Sequence, residues 1–280
     1  MKINFTRTLV LLTAIVFFYA SCKKNEIKSV AKPPTIDYKA LSSQIALNLA
    51  QSLTGKYGGT NINDGISLPK SLNRNVRGLA VNSINMLCGF IVDTAFNNKF
   101  TVNDTTKTNK GNFHFVFNCD AGVLDGYIVS ESFTSADSGY RFTDYNSAAQ
   151  SYVVKALDST YKLVSMNGTI NVDIQNTFYV TPDPSIARGD QGSHVLSSQY
   201  VLTGLNVNFS SGIADITTGT ATFTTSTFDL NSTTAIDGTN SFLSGEIVFL
   251  GNHKAQLNFS GFYPPLSFMV DLLTGAVTKI

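Results

Sequence analysis

The chain has 280 residues, with 20 lysines and arginines against 19 aspartates and glutamates, and a formal net charge of +1 at pH 7. This balance provides no basic surface for nucleic acid and no acidic block of the kind found in disordered tails. Charged residues make up 14% of the chain, well below the usual value of about a quarter. Ser, Thr and Asn therefore carry the surface polarity, a pattern common in secreted β proteins.

The first 22 residues have the pattern of a secretory signal. Lys2 and Arg7 give a basic start, an almost unbroken apolar run covers Leu9–Tyr19, and Ala20-Ser21-Cys22 places small residues before a cysteine. The run is too short to span a bilayer, which takes about 20 apolar residues, but it has the length of a signal-peptide core. We therefore predict a signal peptide over residues 1–22.

The Ala20-Ser21-Cys22 ending resembles the lipobox of bacterial lipoproteins, in which the cysteine is acylated and becomes the first residue of the mature protein. With Lys23-Lys24-Asn25-Glu26 after it, the leader is similar to those of envelope lipoproteins of the Bacteroidota type. The resemblance implies a lipid anchor at Cys22, since several acyl chains on one residue hold a protein stably at a membrane. An ordinary cleaved signal peptide with an incidental cysteine is the alternative.

The same resemblance implies a location in the cell envelope. Surface-exported lipoproteins of this group carry acidic residues after the cysteine, whereas this chain has Lys23 and Lys24 there. The outer membrane, with the protein facing the periplasm, is therefore the expected location, and exposure on the cell surface is the alternative.

A tether and one helix follow the leader. Residues 23–34 contain four lysines and end in Pro33-Pro34, which predicts an extended, semi-rigid segment. Thr35 can cap the start of the helix, Asp37 lies in its first turn, and Gly55 marks its end. The apolar residues with i, i+4 spacing that define the helix are Leu41, Ile45, Leu49 and Leu53. We expect this amphipathic helix to pack on the core of its own domain.

From about residue 77 the apolar period changes from helical to two. The alternating apolar residues are Phe113, Phe115 and Phe117; Ile170, Val172 and Ile174; Leu205, Val207 and Phe209; Ala255, Leu257 and Phe259; and Leu266, Phe268, Val270 and Leu272. Each run predicts a strand with one buried and one wet face. Residues 247–250 are apolar throughout and predict a central strand buried on both faces. Dipeptides such as Asn167-Gly168 and Gly251-Asn252 predict turns between strands.

Closely spaced strands without intervening helices predict an all-β fold. We expect an antiparallel meander that forms a sandwich or a barrel, with the one amphipathic helix at its N-terminus. The predicted organisation is a signal peptide (1–22), a tether (23–34) and a single β-rich domain (35–280). The 20 phenylalanines and 11 tyrosines of the chain supply its core.

Beyond Cys22 the chain has two cysteines, Cys88 and Cys119. In an oxidising compartment of the envelope such a pair favours a disulfide. A bridge requires the two Cα atoms to come within about 7 Å of each other, which spacing along the sequence does not establish. Two buried free thiols are the alternative.

The sequence contains no coherent catalytic or metal-binding pattern. The three histidines are far apart along the chain and lack the paired spacing of a zinc site: His114, His194 and His253. We therefore predict neither a metal nor a cofactor. Asp120, Asp125 and Asp173 are the carboxylates that could join in a hydrolase site, but aspartates in turns commonly bond to their own backbone.

These observations predict an envelope lipoprotein without enzymatic activity that serves as a binding or structural module. It would contact the membrane through the anchor at Cys22 and would not bind nucleic acid. The candidate ligands and partners are a small apolar molecule in an aromatic-lined cavity, a glycan, or another envelope protein. The alternative function is a carbohydrate-active or other hydrolase whose dispersed aspartates meet in the folded chain.

Overall fold

The computed structural model describes residues 36–57, 59–67, 88–179, 191–210, 212–230 and 239–280. The leader, Cys22 and the tether lie outside these ranges, so what was expected of them remains a prediction. The residues from Asp37 onward form one compact unit. Within the described ranges, no helix has both the length and the apolar character needed to cross a membrane.

The predicted helix is confirmed and extends over Tyr38–Leu53; we call it α1. Its four predicted core residues are each at most 6% exposed. Asp37, rather than Thr35, is the N-cap, because its Oδ1 accepts hydrogen bonds from the backbone N–H groups of Lys39 and Ala40 at 3.0 and 3.1 Å. These bonds satisfy two of the N–H groups that a helix start leaves without partners.

The predicted antiparallel meander is confirmed as one sheet of eleven strands. The strands are β1 (Ile91–Val102), β2 (Thr105–Asp120), β3 (Val123–Ser138), β4 (Phe142–Ala156), β5 (Leu163–Tyr179), β6 (Gln191–Asn208), β7 (Asp215–Leu230), β8 (Thr239–Gly251), β9 (Lys254–Phe259), β10 (Leu266–Asp271) and β11 (Val277–Lys279). Each strand pairs antiparallel with its sequence neighbour, and the spatial order equals the sequence order.

The two faces of this sheet differ as the alternation predicts. Phe113, Phe115 and Phe117 are each at most 6% exposed and point to the face that we call inner, while the side chain of His114 between them is 48% exposed on the outer face. The expected burial of residues 247–250 on both faces is wrong, because Leu250 is 46% exposed. No second layer covers the outer face of β8 among the described residues.

The sheet is not closed, and helix α1 covers its inner face in place of a second sheet. Helix α1 contacts β5, β9, β10 and β11, and the buried Tyr200 hydroxyl of β6 donates to the backbone carbonyl of Ile45 at 2.8 Å. The segment after the helix contributes buried Ile62 and Ile66 to the same core. The core therefore lies between this helix-and-loop layer and the single sheet.

The turn predicted at Asn167-Gly168 is wrong for a reason that only strand pairing reveals. The dipeptide Asn167-Gly168 lies inside β5, where the register with β6 shifts between Met166 and Gly168. A Cβ atom on Gly168 would collide with the backbone of Ser151 and Tyr152 on β4. Glycine is needed there because the backbone of β4 passes close to it, beside a bulge in the pairing with β6, and not because the chain reverses.

The predicted disulfide is present. Cys88 and Cys119 are bonded, with their Cα atoms 5.5 Å apart. Cys88 lies just before β1, and Cys119 lies near the end of β2. The bridge therefore ties the entry of the first strand to the end of the strand with which it pairs.

Candidate functional site

A trough of about 760 Å³ lies on the outer face of β1–β5. Two adjacent rows of outward side chains, each crossing all five strands, line this outer trough. The first row is Asp93, His114, Ser130, Ser151 and Thr169, and the second is Ala95, Asn112, Ser132, Ala149 and Asn171. Since neighbouring strands lie about 4.8 Å apart, the trough is about 19 Å long.

Small side chains make the depression. The central part of both rows consists of Ser130, Ser132, Ala149 and Ser151. Because these side chains are short, a ligand could approach the backbone of β3 and β4 there. The strand register decides this arrangement, because it aligns small residues that lie far apart along the chain. The trough could not be predicted for that reason, and of the five strands that form it the alternating patterns predict only β2 and β5.

An apolar row borders the trough on the same face. Ile91, Val116, Ile128 and Val153 lie directly opposite one another across β1–β4. Three of them are exposed large apolar side chains: Ile91 at 53%, Ile128 at 37% and Val153 at 43%. The outer trough therefore combines a floor of hydroxyl and amide groups with one apolar wall.

The charge of the trough is confined to one end. Asp93 Oδ1 lies 2.5 Å from His114 Nδ1, across the β1–β2 pair. Glu131 also borders the trough, but its carboxyl group lies on the inner side of the sheet, against Thr60. The rest of the lining is uncharged, so the outer trough offers little attraction to a highly charged polymer.

Asp93, His114 and Ser130 follow one another across three strands, which is the composition of a catalytic triad. A triad needs a hydrogen bond between the histidine and the serine, together with donors for the oxyanion. The described contacts of His114 include the bond to Asp93 and none to Ser130. The other two histidines also approach aspartates, His194 with Asp229 and His253 with Asp215. Asp93 and His114 lie directly opposite each other on paired strands, and this position explains their contact without a catalytic role.

The three aspartates singled out for a hydrolase do not converge. Asp120 and Asp125 border a hollow of about 400 Å³ at the ends of β2 and β3, and Asp125 lies 3.5 Å from the Lys155 ammonium. Asp173 lies elsewhere, on the outer face of β5, where it accepts hydrogen bonds from Ser147 and Ser197. Asp173 therefore does not join Asp120 and Asp125 in one site.

One titratable group that sequence reasoning passed over is buried on the inner face. Glu131 is 6% exposed, and its carboxyl oxygens accept hydrogen bonds from the backbone N–H of Thr60 at 3.0 Å and from the Thr60 hydroxyl at 3.0 Å. The Thr60 hydroxyl also contacts the Tyr152 hydroxyl. Burial raises the pKa of Glu131 to about 7, although the bonds from Thr60 oppose the rise.

This contact, which we call the Glu131 clamp, fixes the segment after α1 on the sheet. Gly59 passes directly over the Glu131 carboxyl group with a φ of 90°, and a Cβ atom there would collide with it. The only sequence signal was an acidic residue in an inward position between Val129 and Phe133. The Glu131 clamp is a structural contact, since Thr60 and Tyr152 surround the carboxyl group on the inner side.

The described residues contain no group of three or more His, Cys, Asp or Glu side chains placed to hold a metal ion. Among the described residues, the outer trough is the arrangement with the clearest capacity for recognition. Comparisons of the chain with protein-family models, with curated proteins and with solved structures found no match in any of the three.

Proposed function

We propose that this chain is a lipid-anchored envelope protein that binds a neutral glycan along the outer trough without acting on it chemically. The observation that carries the proposal is the trough itself, with two rows of small polar side chains beside an apolar wall. The anchor at Cys22 is the part of the proposal that rests on the leader.

The chemistry of the trough matches that of a sugar chain. Serine and threonine hydroxyls and asparagine amides both donate and accept hydrogen bonds, as sugar hydroxyls require. The apolar row of Ile91, Val116, Ile128 and Val153 offers a surface for the C–H faces of sugar rings. Asp93 and His114 pair with each other, so the trough favours an uncharged ligand. Its elongated shape favours a chain over a single sugar.

The inner face supports an apolar ligand less well. Helix α1 and the segment that carries Ile62 and Ile66 pack on that face with buried side chains. A ligand inserted there would have to displace them and break the Glu131 clamp. The outer trough requires no such movement, and this favours the glycan over a small apolar molecule.

A screen of neutral oligosaccharides, followed by titration calorimetry, tests the proposal. We expect Ala149→Tyr, which places a ring in the middle of the trough, to weaken binding of the best oligosaccharide at least tenfold, or about 1.4 kcal/mol. Thr222→Tyr is the matched control, because Thr222 is also exposed, on β7 outside the trough. Absence of binding throughout the panel, or equal affinity of the A149Y variant and the wild type, would refute the proposal.

Acylation at Cys22 is tested separately. We expect Cys22→Ala to abolish incorporation of a labelled fatty acid in the native host and to shift the protein out of the membrane fraction, since the acyl chains supply the anchoring energy. Cys88→Ser should keep the label. A mature N-terminus at another residue, found by mass spectrometry, would contradict the lipobox interpretation.

A further inference from the structure

Strand β1 ends the sheet with an edge that no described residue pairs with. It has 12 residues and is hydrogen-bonded on one side, to β2. The opposite edge strand, β11, has three residues. A long edge exposes a row of free N–H and C=O groups and is a template for another strand, whereas a short edge is not.

The side chains of β1 do not protect this edge. The strand contains no proline, and Phe100 and Val102, which share a face with Val92 and Phe96, are 46% and 48% exposed. Its single lysine, Lys99, lies on the outer face together with Asp93. Proteins usually block edges with proline, bulges or several charges. Strand β1 has no proline and no bulge in its pairing with β2, and it carries only one charge of each sign.

We infer that β1 pairs antiparallel with β1 of a second copy of this chain, about a two-fold axis at Phe96. A two-fold axis between antiparallel edge strands places inner side chains opposite inner ones. Inner residues of β1 have even numbers and outer residues odd numbers, so the numbers of two paired residues must have an even sum. The register centred on Phe96 sets Asp93 opposite Lys99 of the second copy, twice over by symmetry. It also sets Val92 opposite Phe100, and Phe96 opposite itself.

Neighbouring registers lose this match. A register centred on Ala95 puts Lys99 opposite Ile91, and one centred on Asn97 puts Lys99 opposite Ala95. Opposite charges and apolar pairs directly across from each other stabilise a strand pair, whereas a charge opposite an apolar side chain does not. Charge complementarity thus selects a second copy as the occupant and fixes one register.

The pairing would change the outer trough. Asp93 and Ala95 lie at its open end, on the edge strand, and Lys99 and Asn97 of the second copy would lie beside them. The two troughs would flank the two-fold axis on one continuous outer face. The dimer would form through the β1 edge whether or not the trough binds a glycan.

A charge exchange tests the register. With the full chain in detergent, we expect a dimer by sedimentation, at least tenfold weaker association for Lys99→Asp, and recovery in the double variant Asp93→Lys, Lys99→Asp. Lys110→Asp is the control, since Lys110 is an exposed lysine on the adjacent strand β2. A monomer at all concentrations, or a dimer unaffected by K99D, would overturn the inference.

Cross-linking in cells tests the same geometry without detergent. Residues 95 and 97 face each other in the proposed register, so chains with Ala95→Cys co-expressed with chains carrying Asn97→Cys should form disulfide-linked dimers, and Ala95→Cys alone should not. Cys88 and Cys119 are already bonded to each other and do not compete. Equal cross-linking in both cultures would reject this register.

Discussion

Replacing Cys88 and Cys119 together by serine is expected to lower the free energy of unfolding by about 3–4 kcal/mol. The bond closes a loop whose ends are 31 residues apart, and in the chain-entropy model a loop of that size restricts the unfolded chain by about this amount. The loop contains all of β1 and most of β2, so its loss should affect the edge of the sheet first. Urea unfolding of the oxidised wild type and the double variant measures the difference.

Reductant provides the control for this experiment. It should lower the stability of the wild type to about that of the variant, and leave the variant unchanged. A loss below about 1 kcal/mol would mean that the unfolded chain is already restricted near the bridge, because the entropic argument assumes a disordered reference state.

The second large effect concerns the Glu131 clamp and pH. The pKa of this carboxyl group rises from 4.5 to about 7 on folding because of burial. At pH values between 4.5 and about 7, the carboxyl group is therefore protonated in the folded chain and ionised in the unfolded chain. Stability that is present below pH 4.5 is therefore lost as pH rises toward 7, with little further change above it. With about 1.4 kcal/mol for each pH unit, the loss amounts to about 3 kcal/mol.

The variant Glu131→Gln isolates this contribution. The amide keeps the shape of the side chain and an acceptor for Thr60, but it cannot ionise. Between pH 4.5 and pH 8, the free energy of unfolding of the wild type should therefore fall by about 3 kcal/mol more than that of the variant. Denaturant unfolding at several pH values measures both curves. Glu246→Gln is the comparison variant, because it removes the glutamate of β8. Parallel curves for E131Q and the wild type would disprove the buried, protonated carboxyl group.

The elements themselves were predictable because their signals are local. The spacing of Leu41, Ile45, Leu49 and Leu53 fixes which side of α1 is buried, and the structure confirms all four. The alternation in β2 assigns Phe115 to the core in the same way. Each of these predictions depends on a period of 3.6 or 2 within a single segment.

What depends on pairing between distant segments was not predictable. The outer trough exists because the register aligns Ser130 of β3 with Ser151 of β4, and no pattern within one strand specifies that alignment. The same holds for the glycine at the bulge in β5, which resembles a turn in the sequence. The Glu131 clamp joins residues 71 positions apart, so no local pattern in the sequence links Glu131 to Thr60.

Helix α1 is the first element of the compact unit, yet it packs on strands that are made last. The ring of Tyr38 lies edge-on to Phe259 and Phe262, and the Ser43 hydroxyl donates to the backbone carbonyl of Gly275 at 2.8 Å. The helix can therefore make these contacts only after the residues of β9, β10 and β11 have been synthesised. Until then, the apolar side chains of α1 lack part of the surface against which they are buried in the folded chain.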